Sequence, residues 1–194
     1  MEQKKMNERR RFEWMNPFFS LTGERALAIG VIGMILIGVI GYFSGMVNDG
    51  VFDLHIYPSD WKIALLYPLG SWFVLSVCLG VGLMVIRRGA FRWIDIFGFT
   101  AFARLPLLLG VLTGFLIPHT APEMSHMILP GIISVIAVVW SIIYTWSGFR
   151  LCAGKGGWKT VITFILAIIA AYLIVIGLTL SQRRALLEKY TNKM

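Results

Sequence analysis

The residues with the clearest capacity for chemistry stand in an otherwise apolar part of the chain, where Arg104 is followed two residues later by Pro106. A guanidinium at membrane depth costs about 2.5–3.5 kcal/mol unless it faces a partner or a wet cavity, and such groups are by default candidates for a functional site. Proline has no N–H, so Pro106 frees the carbonyl of Phe102 close to Arg104. The pair predicts either a structural kink that Arg104 locks or a site for an anionic or polar solute.

Asp95 is the nearest acidic residue before Arg104, and it joins Arg104 and Pro106 as an intramembrane candidate. On a helix, nine residues at about 100° each place Asp95 and Arg104 on opposite faces. Arg92, three residues before Asp95, is the better placed partner for this carboxylate.

A weaker set of polar residues follows the third apolar block, where His119, Glu123 and His126 have spacings of four and three. On a helix these spacings would bring two imidazoles and a carboxylate to one face, and such a set can bind zinc. Pro118 and Pro122 interrupt the segment, so a solvated loop is favoured and we assign neither a metal nor a cofactor.

Catalytic motifs are missing from the sequence, which has no Ser-His-Asp constellation, no HExxH and no paired intramembrane carboxylates. We therefore do not expect an enzyme, and a metal-dependent membrane enzyme is the weakest hypothesis.

The elements that must position these residues are membrane helices. The chain has 194 residues, of which 57% are hydrophobic and 14% are charged, whereas soluble domains carry about 25% charged residues. Apolar residues gather into blocks of the length that a helix needs to cross the hydrocarbon layer. We expect an all-α, polytopic transmembrane bundle with five spans, at residues 26–47, 63–86, 96–117, 127–148 and 158–180.

The net charge of +8 is interpreted as an orientation signal rather than as a sign of nucleic-acid binding. Basic residues are concentrated in the N-terminal segment 1–25, which we expect to be cytoplasmic or interfacial, and in the second and fourth connections. The first connection is acidic and the third has no Lys or Arg. This alternation predicts a cytoplasmic N-terminus, and we expect the membrane to be the plasma (inner) membrane.

The basic tail 181–194 conflicts with this orientation, because five spans from a cytoplasmic start place it outside. One alternative has four spans, with residues 96–117 forming a re-entrant segment. Another is that the tail forms an interfacial helix.

Small residues mark faces for close helix packing, which serve either the bundle itself or a homodimer. They occur mainly in the first block, and the second block adds a further pair: Gly30, Gly33, Gly38, Gly41, Gly45, Ser76 and Gly80.

The third block carries a family resemblance. Residues 94–107, IDIFGFTAFARLPL, resemble a segment of the Yip family, named for Ypt/Rab-interacting proteins, and Asn16-Pro17 before the first span and Trp146 before the fifth fit the same plan. The resemblance implies five spans, a cytoplasmic N-terminus and no enzymatic activity. In eukaryotic members it implies vesicle traffic through small GTPases and membrane-protein partners, but the short N-terminal segment does not by itself support GTPase binding.

The expected function is a non-enzymatic membrane scaffold or adaptor, with the lipid bilayer and a membrane protein or a second copy of the chain as partners. The alternative is a transporter or channel component with a polar site around Arg104 and Pro106.

Overall fold

The computed structural model describes residues 23–56, 60–87, 91–118, 124–154 and 157–191. Within them the chain is essentially all-α, and its only strands are two short ones between the first two helices. The helices are α1 Gly23–Ser44, α2 Trp61–Ile86, α3 Trp93–Phe102, α4 Leu107–Thr113, α5 Met124–Ala153 and α6 Trp158–Thr191, with a 3-10 helix at Gly114–Leu116. The strands are β1 Met46–Val47 and β2 His55–Ile56, which pair antiparallel.

Five stretches among the described residues are long and apolar enough to cross a membrane, which confirms the predicted five-span, all-α architecture. They are Gly23–Ser44, Trp61–Ile86, Trp93–Leu116, Ser125–Ala153 and Trp158–Thr179. The third stretch contains α3, α4 and the 3-10 helix, so the block suspected of being re-entrant is one candidate span of 24 residues. The basic tail is helical as far as Thr191, because α6 continues without a break beyond the apolar span.

The third span lies at the centre of the bundle and is the most buried of the five. It packs most closely against α1, because glycines allow the two backbones to approach. An ideal Cβ built on Gly30 would lie 2.5 Å from the backbone nitrogen of Phe102, and one built on Gly98 would overlap the carbonyl of Gly23. Side chains at these positions would force the two helices apart.

Three further glycines of α1, Gly33, Gly38 and Gly41, are also buried inside the chain. A Cβ at these positions would contact residues of the second span, the third span or β1: Gly33 meets Leu105, Gly38 meets Ala64 and Leu65, and Gly41 meets Met46 and Val111. This face is therefore occupied within one molecule and is not free to form a homodimer. Gly45 has a different role, since it follows the end of α1 with φ 70°, a conformation that glycine adopts without steric cost.

Gly30→Ala should destabilise the bundle by about 1–3 kcal/mol, the usual cost of inserting a methyl group into a well-packed core. Gly177→Ala is the matched control, because a Cβ at Gly177 meets nothing within 4 Å. Thermal unfolding of both variants in detergent measures the difference. Equal unfolding midpoints for the two variants would contradict the close approach of α1 and α3.

The connection between the first and second spans is folded into the protein rather than exposed as a loop. Asn48, Asp49, Val51 and Phe52 are all buried, and Val51 and Phe52 belong to the main apolar core, which contains residues of α2, α3, α5 and α6. Irregular backbone at membrane depth is tolerated where it is enclosed by protein. The inserted non-helical segment is therefore residues 45–56, not residues 96–117.

Candidate functional site around Arg104

The third span changes its hydrogen-bond pattern at Pro106. The backbone N–H of Leu105 donates to the carbonyl of Phe102 at 3.1 Å, and that of Leu107 donates to the carbonyl of Arg104 at 2.9 Å. These bonds join residues three apart, so residues 103–106 form a tightened turn between α3 and α4. The Phe102 carbonyl is thus satisfied by the backbone, so the Arg104 side chain does not lock the kink by binding this carbonyl.

The carbonyl of Ala103, in the same turn, receives its hydrogen bond from another helix. Ser141 on α5 donates to it through Oγ at 2.6 Å, and Ser141 is fully buried. A buried carbonyl without a partner is costly, so this serine stabilises the kink.

Ser141→Ala should lower stability by about 1–3 kcal/mol, the cost of leaving a buried acceptor unpaired. Ser147→Ala is the matched control on the same helix, because Ser147 is only half-buried and its Oγ donates to the Ile143 carbonyl of its own helix. Unfolding midpoints in detergent compare the two variants. If Ser147→Ala is as harmful as Ser141→Ala, the interhelical bond does not stabilise the kink.

Arg104 itself is 1% exposed and joins three parts of the chain. Its Nη1 donates to Asn48 Oδ1 at 3.2 Å, to the Pro68 carbonyl at 3.2 Å and to Ser71 Oγ at 2.9 Å. Arg104 lies eleven residues after Trp93, the start of its span, which places it about 16 Å along the helix and near its middle. Asn48 therefore brings the inserted segment 45–56 to the centre of the bundle.

The rest of the guanidinium is unsatisfied. Nε and Nη2 of Arg104 are buried and have no hydrogen-bond partner among the described residues. The acceptors on Nη1 are neutral, and no carboxylate in the described ranges forms an ion pair with Arg104. A buried cation in this state is costly, which singles it out as a candidate site.

The acidic residues of segment 45–56 are engaged with other groups. The Tyr172 hydroxyl on α6 donates to Asp53 Oδ1 at 3.0 Å, and Asn48 Nδ2 donates to the Asp53 carbonyl at 2.7 Å. Asp49 is paired with His55 at 2.6 Å. Sequence reasoning missed this arrangement, because acidic residues in a short connection carry no local signal of burial.

A second polar layer lies one helical turn from Arg104 toward the start of α3. Ser76 Oγ and Thr100 Oγ1 are 2.7 Å apart, and Trp72 Nε1 donates to Thr100 Oγ1 at 3.1 Å. Ser76 thus links α2 to α3 through a hydrogen bond as well as through its small size. A Cβ at Gly80 would overlap the ring of Trp93, so this position also serves the contact between α2 and α3.

The structure does not bring Asp95 together with Arg104, since Asp95 lies in the first turn of α3 beside Gly23. This separation agrees with the opposite helix faces expected for the two residues, whereas the partnership proposed between Asp95 and Arg92 is wrong at the side-chain level. Arg92 Nη2 pairs with Glu24 Oε1 at 2.8 Å, and both side chains are exposed. Asp95 therefore belongs to the end of the bundle rather than to the buried site.

The possible zinc set lies mostly outside the described residues, which exclude His119 and Glu123. His126 is described and is exposed near the start of α5. Among the residues that the structure describes, no group of three or more His, Cys, Asp or Glu side chains is placed to hold a metal ion.

No protein-family model matches this chain, and comparisons with curated proteins and with solved structures find no match. The resemblance of residues 94–107 to the Yip family stays an expectation.

Proposed function

We propose that this chain is a non-enzymatic integral membrane scaffold or adaptor of the Yip type. The observation that carries the proposal is the length of α6, which has 34 residues and is about 51 Å long at 1.5 Å per residue. The hydrocarbon layer is about 30 Å thick. Residues 180–191 therefore form a helical extension beyond the candidate span Trp158–Thr179.

The sequence of this extension suits contact with an acidic partner surface. It carries Arg183, Arg184 and Lys189 against a single acidic residue, Glu188. A helix that continues from a membrane span holds such residues at a fixed distance from the bilayer, and opposite charges favour specific association and faster encounter. The glycine face of α1 is occupied within the chain, so we assign partner binding to other surfaces.

Copurification in mild detergent tests the proposal. The full chain should recover a reproducible membrane-protein partner, and a variant that ends at Leu180 should lose it while keeping its unfolding midpoint. A charge-reversal variant, Arg183→Glu with Arg184→Glu, tests the same contact with the helix kept. Recovery of the full chain only as a solitary monomer would contradict the scaffold.

We also propose a cytoplasmic N-terminus, which the charge alternation supports, and an inner plasma membrane as the location. Accessibility labelling of single cysteines in a cysteine-free background tests this orientation. Asn48 is buried, so the label for the first connection belongs at Ile56, which is exposed, and a second belongs at Thr191. Labelling of both positions from the outside is expected for five spans with this orientation.

The second candidate is a transporter or channel component, and the unsatisfied guanidinium of Arg104 favours it. Charged groups within membrane spans commonly line paths for ions and polar solutes. Flux in liposomes tests it, with Arg104→Met compared against Arg92→Met. Flux that survives Arg104→Met unchanged, or no flux for any solute class, would remove this candidate.

A further inference from the structure

The guanidinium of Arg104 has one edge fixed and one edge free. Nη1 is held by Asn48, Pro68 and Ser71, while Nε and Nη2 have no partner in the described part of the chain. Nε and Nη2 form the side edge of the planar group, from which two N–H bonds point the same way. The free donors therefore present a two-pronged fork.

Such a fork has a specific chemical complement. Two oxygens of a carboxylate or of a phosphate accept two parallel N–H bonds from arginine, and the resulting bonds are shorter and stronger than neutral ones. The contacts of Nη1 hold the plane of the group in advance, so less conformational entropy is lost when an oxyanion binds.

No carboxylate in the described part of the chain supplies this oxyanion. Asp53 accepts from Tyr172, and Asp49 is paired with His55. Arg104 is thus left with a positive charge that only neutral groups contact, the state in which a buried charge costs most.

We infer that the Nε and Nη2 edge of Arg104 is a bidentate binding site for an oxyanion, either a carboxylate or a phosphate group. The inference deepens the transporter candidate by naming a ligand class, although binding can occur without flux. The ligand is a free anion or the phosphate of a lipid headgroup. Arg104 is 1% exposed, so the ligand reaches it only after a local opening of the bundle.

Binding is tested on the full chain purified in an uncharged detergent. The unfolding midpoint is measured at increasing concentrations of inorganic phosphate and, separately, of acetate. Chloride keeps the ionic strength constant. Wild type should show a saturable rise, as expected when a ligand binds only the folded state. Arg104→Lys keeps the charge but loses the fork, so its apparent affinity should be at least about tenfold weaker.

Asn48→Asp covers the case in which Arg104→Lys does not fold. It places a carboxylate beside Nη1, so the midpoint should rise without added oxyanion and the response to phosphate should fall. Arg92→Lys is the control, because Arg92 is an exposed arginine distant from the site, and it should respond like wild type.

The source of the oxyanion is decided by extracting lipids from the purified proteins. A response to phosphate or acetate assigns a free anion. A phospholipid retained by wild type and lost in Arg104→Lys, with no response to the small anions, assigns a headgroup. The inference is overturned if wild type shows neither result, or if Asn48→Asp and Arg104→Lys both behave like wild type. If an oxyanion binds but no flux is observed, the transporter candidate is contradicted and the oxyanion site is still supported.

Discussion

Arg104→Ala is expected to lower the stability of this protein by about 3–5 kcal/mol, by the scale of large buried side chains truncated to alanine and of hydrogen bonds to charged groups. The change removes the bonds from Nη1 to Asn48, Pro68 and Ser71, and it leaves a cavity at the centre of the third span. Segment 45–56 loses a direct connection to the third span. Thermal unfolding in detergent measures the effect, and the fraction of protein that stays monodisperse is monitored as the temperature rises.

Two further variants separate the causes. Arg104→Met keeps much of the volume and leaves a smaller cavity, so it should cost less than Arg104→Ala. Arg92→Ala removes an exposed ion pair, which is worth about 0–1 kcal/mol. If Arg104→Ala is no more harmful than Arg92→Ala, the hydrogen bonds of Arg104 do not hold the bundle together.

Phe52→Ala is expected to have the second large effect, a loss of about 3–5 kcal/mol, because a buried aromatic ring is removed from the core. Phe52 is 1% exposed and holds segment 45–56 among the helices. Ile56→Ala is the matched control in the same segment, since Ile56 is half exposed and its change should cost about 0.5 kcal/mol or less.

Release of the segment can be measured directly by cysteine labelling. Val51→Cys, with Cys78 and Cys152 replaced by serine, places one thiol at a position that is fully buried. This thiol should resist a water-soluble reagent in the otherwise normal chain and react readily once Phe52→Ala is added. Rapid labelling of the Val51→Cys protein that still has Phe52 would show that the segment is not inserted.

The kink in the third span illustrates how far sequence reasoning reaches. A proline in the interior of a helix cannot donate to the carbonyl four residues before it, so Pro106 in the middle of the third block predicted the irregularity between α3 and α4. The sequence does not predict which groups form hydrogen bonds with the carbonyls of this irregular turn. Ser141 lies 38 residues away from the carbonyl of Ala103 that it binds, and neither residue's neighbours in sequence indicate this pairing.

The same division applies to Arg104. Its position in an apolar block predicted that it would need partners, and the partners found are Asn48, Pro68 and Ser71, which come from the first connection and the second span. The alternation of basic residues between successive connections placed the acidic first connection at the surface, because this pattern considers only the charge of a whole loop. The charge of the loop does not indicate that Val51 and Phe52 are buried in the core and place the loop among the helices.

The sequence by itself determined the all-α class, the five apolar spans, the kink at Pro106 and the exceptional status of Arg104. These follow from properties of single residues and their near neighbours: apolar length against the thickness of the bilayer, a missing N–H and the cost of burying a charge. Only the tertiary structure decided that segment 45–56 is inserted, that α1 packs its glycines against the third span, and that Nη1 is satisfied while Nε and Nη2 are free. Those outcomes depend on which distant side chains meet, and the energies that select them arise when the helices pack together.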